Sequence, residues 1–561
     1  MEDKFCLRQV SSLEKIRLSD PPMEQEILNK RVFRGERFSY QIGVWDLNNY
    51  MTELRVRIES PLIDYIKAYK VVNAPMDLPA FPFTKDDDYI TKTPGLMPDV
   101  LVPLEEHHNI IDVMGGAAGA LWIRLDVPKE FPAGKYPITV NVEKISEIEI
   151  GSKGPGPEER ERHEKCMMIE VLPISMPEQK LIFSQWLHTD CIATAHRVPV
   201  YSEEHWELID RYMAAAADTG INSMLIPMIT PPLDTMYSVY RPCVQLVDIE
   251  KQENCYTFNF DKVCRWIAIC KKNGIQYYET AHLFSQWGMF YTPNIMVTEN
   301  GKKDYLFKWG VPSDSPEYLE FLLQFLPQLI KVLQEEGIAD RTYFHISDEP
   351  RGEHVATYER IAKTIKPILG DIKRIDALSH YEFYEKGLVD VPVTCTTKIT
   401  PFLEHHIENQ WAYYCCSQHE KVGNRFLAMP SYRNRILGLQ LYKYKIQGFL
   451  QWAFNFYNAR CSTHPINPYL TTSAEMTFPS GDPFSVYPGE DGPLLSLRTM
   501  VFYDALQDIA ICWLLEEKLG HDKVVELIER EAGMELKFDA YPKSADFLLN
   551  LRETMIDCII S

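Results

Sequence analysis

Two acidic residues in succession, Asp348 and Glu349, stand before Pro350 and directly after the apolar run Tyr343-Phe344-His345-Ile346-Ser347. Proline disfavours helical backbone at the residue before it, so the pair sits where a buried strand ends and a loop begins. Neighbouring carboxyl groups in a partly apolar setting separate their titrations, one staying protonated as a proton donor while the other stays charged. Glycoside hydrolysis is chemistry of that kind. Retaining enzymes with a protein nucleophile hold the two carboxyl groups about 5 to 5.5 Å apart across the sugar, which consecutive residues seldom do. The pair fits better a reaction in which the substrate's own 2-acetamido oxygen attacks the anomeric carbon. One carboxylate then holds the acetamido N–H and supports the oxazolinium charge, and its neighbour protonates the leaving oxygen. The plainer reading is that Asp348 and Glu349 open a solvated loop and cap the helix that follows.

Other residues have the right chemistry to grip a sugar. Trp452, Asn455 and Tyr457 follow an apolar run, and an indole platform with an amide beside it suits a ring with one apolar face and many hydroxyls; Trp452 as barrel filling is the structural alternative. His188 and Asp190 follow another run and are hydroxyl ligands or a hydrogen-bonded structural pair. His282 ends a third run. One of Tyr413 and Tyr414 is placed to donate to an acetamido carbonyl; strand alternation lets only one face inward, and Tyr414, nearer the strand end, is the candidate. His345, within the apolar strand, reads as a satisfied core histidine. Asp482 and Arg498 read as organisers of a long loop through charged hydrogen bonds.

These residues need a scaffold, and the hydrophobic periodicity supplies one. Between about 30 and 175 the apolar residues alternate: Phe38, Tyr40, Ile42, Val44; Leu54, Val56, Ile58; Leu121, Ile123, Leu125, Val127. The turn Pro132-Ala133-Gly134-Lys135 between the last of these and Ile138, Val140, Val142 predicts a hairpin, and the set predicts an antiparallel β-sandwich over 1–177. The segment 151–162, rich in glycine, proline and charge, reads as a solvated loop inside the last hairpin. After Pro177 short apolar runs alternate with segments of helical period. Eight strand candidates, at 181–188, 222–229, 275–281, 342–347, 372–379, 391–397, 411–416 and 449–456, predict a (β/α)8 TIM barrel over 178–520. Two more helical patterns, 522–533 and 543–557, make a C-terminal helical extension over 521–561, packed on the barrel. In such a barrel the active site lies at the C-terminal strand ends, where Asp348 and Glu349 fall.

The 561 residues carry 58 Lys+Arg against 79 Asp+Glu, a net charge of −21 that repels phosphate backbones and acidic lipid surfaces. Nucleic acid and membrane are therefore not expected partners. No apolar run approaches the length of a membrane helix, and Met1–Gln9 has no apolar leader core, so a cytoplasmic location is expected. Thirteen scattered cysteines, an odd number with one adjacent couple, Cys415-Cys416, suit a reducing compartment. No Cys/His grouping has metal-ligand spacing, and neither a G-x-S-x-G elbow nor a phosphate-cradling glycine loop occurs, so neither metal nor cofactor is expected. Oligomeric state has no signature here.

The strand ending in His345-Ile346-Ser347-Asp348-Glu349-Pro350, the segment Gly448-Phe449-Leu450-Gln451-Trp452-Ala453-Phe454-Asn455, and Gly481-Asp482-Pro483-Phe484-Ser485-Val486-Tyr487-Pro488-Gly489 leading to Ser496-Leu497-Arg498 resemble the catalytic domain of glycoside hydrolase family 123, also catalogued as domain of unknown function 4091. The resemblance covers most of the chain and implies an N-terminal β-sandwich joined to a (β/α)8 barrel. It implies an exo-acting β-N-acetylgalactosaminidase using substrate assistance, with a carbohydrate carrying a terminal amino sugar as partner. Asp348 would orient the acetamido group, and Glu349 would be general acid and then base. Two alternatives stand beside it: a glycosidase for a non-acetamido sugar with Asp190 or Glu279 as nucleophile, and a catalytically silent carbohydrate-binding barrel.

Overall fold

The structure, a computed structural model, describes residues 5–46, 51–148 and 161–561. The chain forms two compact units, one of residues 1–179, 423–443 and 494–561, the other of 180–422 and 444–493.

In the first unit the alternating runs build two five-stranded sheets. One contains Phe5–Ser11, Arg37–Asp46, Ala118–Asp126, Ile66–Met76 and Gly95–Pro103, in that order; the other contains Asn29–Arg34, Arg162–Ser175, Gly134–Ile148, Met51–Glu59 and Ile110–Met114. All pairings are antiparallel except that of Arg162–Ser175 with Asn29–Arg34. Tyr40, Ile42, Val44, Leu121 and Ile123 from one sheet meet Leu54, Val56, Ile111, Val140 and Met167 from the other in one buried cluster. Period-two alternation puts these side chains on a single face of each strand, and the result is a β-sandwich.

The hairpin expected across Pro132–Lys135 does not form. Ala118–Asp126 pairs with Arg37–Asp46 and Ile66–Met76, whereas Gly134–Ile148 pairs with Arg162–Ser175 and Met51–Glu59, so the connection crosses from one sheet to the other. Both strands carry an apolar face, and stacking those faces across the core buries more than side-by-side pairing would. The loop read at 151–162 lies, but for its last residues, outside the described residues.

Helix Leu497–Leu519 belongs to this unit, as do Tyr432–Arg435 and Leu437–Lys443, although all three sit in sequence among or after the barrel strands. Leu497 and Met500 pack with Val10, Tyr69, Leu101 and Trp122 on the other face of the first sheet. Arg498 takes Asp99 in a buried two-point ion pair at 2.8 and 2.9 Å. Arg435, also buried, holds Asp508 at 2.7 and 2.9 Å with Asp504 behind it at 3.6 Å. Helices His521–Ala532 and Ala545–Ile560 complete the unit.

In the second unit all eight strand candidates are strands. Ile182–Gln185, Ser223–Ile226, Tyr277–Thr280, Thr342–His345, Lys373–Leu378, Val391–Cys395, Trp411–Tyr413 and Gly448–Gln451 close a parallel barrel in that order. Its interior is packed by alternate residues, among them Leu225, Ile375, Ala377, Val393, Trp411 and Leu450. Gly448 is there for a steric reason: a Cβ on it would fall inside the Trp411 indole.

Two long insertions follow the second and third barrel strands. Asp248–Gln252 and Cys255–Asn259 from the first join Ile295–Glu299 and Lys302–Phe307 from the second in a four-stranded sheet. Neither insertion has enough strand to stand alone; paired, they hold two loops of the barrel mouth together. Among the described residues no helix is long and apolar enough to cross a membrane.

Replacing Asp508 with alanine takes both close bonds from the buried Arg435 guanidinium and leaves it Asp504 at 3.6 Å. We expect a loss of about 3 to 5 kcal/mol, read as a lowered denaturant midpoint at unchanged slope.

Candidate active site

How the chain leaves the fourth barrel strand determines where Asp348 and Glu349 point. Beyond the third strand the backbone goes on pairing with it: Leu283 N–H donates to the His345 carbonyl (3.2 Å), Phe284 to Ile346 (3.0 Å) and Trp287 to Asp348 (2.8 Å). On the other side the Ser347 N–H donates to Asp376 Oδ2 on the fifth strand (3.0 Å). Clamped so, the chain turns sharply, and Glu349 takes a left-handed backbone with φ of 47°. That conformation costs a non-glycine residue on the order of 1 kcal/mol or more, and the clamp holds it.

The turn delivers both carboxyl groups into a cleft of about 130 Å³ at the C-terminal mouth of the barrel. Trp186, Ala377, Leu450, Trp452 and Phe478 give it apolar walls, and Asp234, Gln286, Trp287, Tyr413, Cys415, Cys416 and Ser417 complete the lining. Tyr413 donates its hydroxyl to Glu349 Oε1 at 2.6 Å. Burial, and then the Glu349 charge, push this phenol well above its usual range, so it remains a donor. The Asp348 carboxylate receives no hydrogen bond from the described residues. Burial, then the charges of Glu349, Asp376 and Asp234, raise its pKa well above 3.8. Burial also lifts Asp376 to about 7, although the Tyr358 hydroxyl (2.7 Å) and the Ser347 N–H favour its charged form.

The residues singled out in the sequence divide between cleft and frame. Trp452 lines the cleft, its indole N–H held by Asp482 Oδ2 at 3.1 Å. Tyr413, not Tyr414, is the tyrosine that faces in: it is an inward residue of the seventh strand, whereas Tyr414 is buried edge-on against Phe449. His188, Asp190 and Asn455 form a buried frame beside the cleft. Asn455 exchanges hydrogen bonds with the His188 backbone at 2.8 and 3.0 Å, and Arg241 bonds Asp190 at 2.6 and 2.9 Å and His188 Nδ1 at 2.9 Å. His188 Nε2 therefore carries the proton, given to the Trp452 carbonyl at 3.0 Å. Burial and then Arg241 push the His188 pKa down to about 3, so the ring stays neutral. Burial opposes ionisation of Asp190, but the Arg241 charge outweighs it and holds that carboxyl low. Tyr457 donates to the Val486 carbonyl at 2.9 Å.

His282 is fully buried, stacked on His345 at 4.4 Å and edge-on to Trp186. Glu279 accepts from Trp186 Nε1 (3.0 Å), pairs with His345 Nε2 (2.7 Å) and accepts from the Ser223 hydroxyl (2.8 Å). This buried polar cluster fixes the indole that floors the cleft. Neither Asp190 nor Glu279, the alternative nucleophiles, lines the cleft. Sequence reasoning did not reach Asp234, Trp186, Gln286 or Trp287, which come from separate segments. Among the described residues no group of three or more His, Cys, Asp and Glu is arranged to hold a metal ion.

A carboxyl whose pKa is higher folded than unfolded favours the fold below its unfolded pKa, and that contribution is lost as pH rises through the folded one. Asp376 and Asp234, lifted to about 7 and about 6, act together. Thermal unfolding followed from pH 5 to 8 is expected to show the midpoint falling with pH, and Asp376→Asn is expected to flatten that fall.

A family model, glycoside hydrolase 123, catalytic domain, matches residues 186–515, more than half of the chain. Among solved structures, a family 123 glycoside hydrolase from Clostridium perfringens superposes with a TM-score of 0.72 at 14% identity, covering 99% of this chain and 98% of that one. A Bacteroides uniformis β-glucuronidase (TM-score 0.30, 10% identity, 86% and 48% covered) and a family 5 mannosidase from Rhizomucor miehei (0.31, 12%, 62% and 95%) are more distant. No curated protein matches. The chain belongs to glycoside hydrolase family 123.

Proposed function

We propose that this glycoside hydrolase is a retaining exo-glycosidase that removes terminal β-linked N-acetylgalactosamine, or a related 2-acetamido sugar, by substrate assistance through an oxazolinium intermediate. The observation that carries the reading is the division of labour between adjacent carboxyl groups: Glu349 is tied to Tyr413 through one oxygen, while the Asp348 carboxyl takes no hydrogen bond from the described residues and can take one from a ligand. A carboxylate waiting for an N–H donor, in a cleft with apolar walls, suits an acetamido group. The Trp452 indole suits the apolar face of the ring.

In this reading Asp348 accepts the acetamido N–H and turns the carbonyl oxygen toward the anomeric carbon. As that oxygen attacks, positive charge spreads over the forming oxazolinium ring, and Asp348, crowded by other acids, is stabilised in its charged form by it. Glu349 gives its proton to the leaving oxygen and then takes one from the water that opens the ring. Tyr413 takes the part the sequence reading gave to Tyr414, donating to the acetamido carbonyl once substrate displaces it from Glu349. His188, Asp190, His282 and Asn455 support the site by fixing Trp452 and Trp186. The barrel within 178–520 carries catalysis. The Clostridium perfringens enzyme is described in terms of glycolipid glycan hydrolysis, and a glycolipid glycan ending in an amino sugar is a fitting substrate. Thirteen cysteines, none joined in a disulfide among the described residues, fit work in the cytoplasm.

Paired aryl N-acetyl-β-galactosaminide and N-acetyl-β-glucosaminide, tested beside the 2-hydroxy sugars, decide the matter: release confined to the acetamido sugars is expected, and equal release from the 2-hydroxy sugars would overturn it. A thiazoline analogue of the amino sugar should inhibit strongly. On an unactivated glycoside Glu349→Gln is expected to lose about 100- to 10,000-fold in kcat, with binding kept; a near wild-type rate would remove Glu349 from its role. Because catalysis needs Asp348 charged, activity should fall on the acid side at a pH well above the ordinary aspartate range, and Asp348→Asn should abolish that limb along with most of the rate.

A further inference from the structure

A third carboxylate reaches the cleft, and the mechanism above gives it no task. Asp234 lies in the loop after the second barrel strand and lines the cleft together with Asp348, Glu349 and Trp452. Its backbone is left-handed, with φ of 39°, and bonds from separate segments hold it there. The Asp234 N–H donates to Gln286 Oε1 (2.7 Å), and Gln286 is itself anchored on the Thr235 carbonyl (2.9 Å). The Asp234 carbonyl accepts from the Ser462 hydroxyl (2.8 Å), and its Oδ2 accepts from the Cys461 N–H (2.8 Å). Cys461 and Ser462 also have left-handed backbones, each with φ of 55°.

Strain on this scale, spread over two loops, fixes one side chain in one place. A buried carboxylate that served only the fold would be paired with a cation, as Asp190 is with Arg241. Among the described residues no cation forms an ion pair with Asp234, although Arg241 and Arg460 act on its charge from further off, and its Oδ1 accepts no hydrogen bond from them. Burial raises its pKa to about 6. It is half-buried, so what it meets is the contents of the cleft.

If Asp348 takes the acetamido group and Glu349 the glycosidic oxygen, the polar groups left on a hexosamine are the hydroxyls at carbons 3, 4 and 6. We infer that Asp234 accepts a hydrogen bond from one of these ring hydroxyls and is the residue by which the cleft distinguishes its sugar from epimers and deoxy analogues. The inference rests on the glycosidase reading above and names a specificity contact within it. A site built to bond a hydroxyl rejects the analogue that lacks it far more sharply than an apolar pocket rejects a misfit, because the buried acceptor is then left unpaired.

The test is a chemical double-mutant cycle. The kcat/KM of wild type, Asp234→Asn and Asp234→Ala is measured on the aryl 2-acetamido-β-hexosaminide that wild type cleaves best and on its 3-, 4- and 6-deoxy congeners. One congener is expected to cost wild type about 100-fold or more but to cost Asp234→Ala only a few-fold, the two losses failing to multiply. Asp234→Asn keeps an acceptor for the Cys461 N–H, so it guards against misfolding, with the thermal midpoint as check, and it should show the same non-additivity in smaller degree. Losses that multiply for every congener, or variants as fast and as selective as wild type, would overturn the Asp234 assignment while leaving the hexosaminidase reading standing. Wild type that cleaves no acetamido sugar would overturn both.

Discussion

The cleft depends on keeping several carboxyl groups close together without a cation among them. Asp348, Glu349 and Asp234 line it, and Asp376 stands directly behind, bonded to the backbone just before the pair. Arg241, a buried cation of the same barrel mouth, is committed to Asp190 and His188. Burial pushes Asp348, Asp376 and Asp234 upward, and at Asp348 the charges of Glu349, Asp376 and Asp234 add to it. Such an arrangement destabilises the folded protein near neutrality, yet it supplies what a reaction passing through a cation needs: negative potential already in place.

Holding that arrangement is a backbone problem, and the barrel solves it with its neighbours. The segment after the third strand continues the ladder out to Asp348, the fifth strand contributes Asp376 to the Ser347 N–H, and the seventh contributes Tyr413 to Glu349. The left-handed turn at Glu349 is affordable only because these contacts leave the chain no other exit. The loops that complete the cleft are stiffened in the same way. Insertions after the second and third strands share one four-stranded sheet, so the loops bearing Asp234 and Trp287 are tied to each other.

Beneath the cleft, the polar interior gives Trp186 a fixed seat. Glu279 collects hydrogen bonds from Trp186, His345 and Ser223, and chiefly His345, with Trp186, holds its pKa low against the cost of burial. His282, whose ring nitrogens have no hydrogen-bond partner among the described residues, stays neutral because burial and then the neighbouring His345 depress its pKa far below 6.5. Residues with the chemistry of catalysts thus act by fixing an indole.

The eight barrel strands, four of the sandwich strands, and Asp348-Glu349 at a strand end were legible in the sequence, because strand periodicity, the turn at Pro350 and the rule that barrel sites lie at C-terminal strand ends are local signals. Trp452 was legible for the same reason. What the sequence could not reveal involves two segments at once. Sheet membership of Ala118–Asp126 and Gly134–Ile148 rests on which faces stack, and identical alternation serves either pairing. The choice of Tyr413 over Tyr414 hangs on the strand's exact end, a difference of one residue that reverses every side chain. Arg498 finds Asp99 nearly four hundred residues away, and Asp234 reaches the cleft from a loop whose composition signals nothing. The sequence by itself determined the elements and the acid pair, since burial pattern and turn chemistry are written residue by residue. Only the tertiary structure decided which side chains share a cleft and which spend their charge on each other, because that depends on distances between segments that no spacing along the chain encodes.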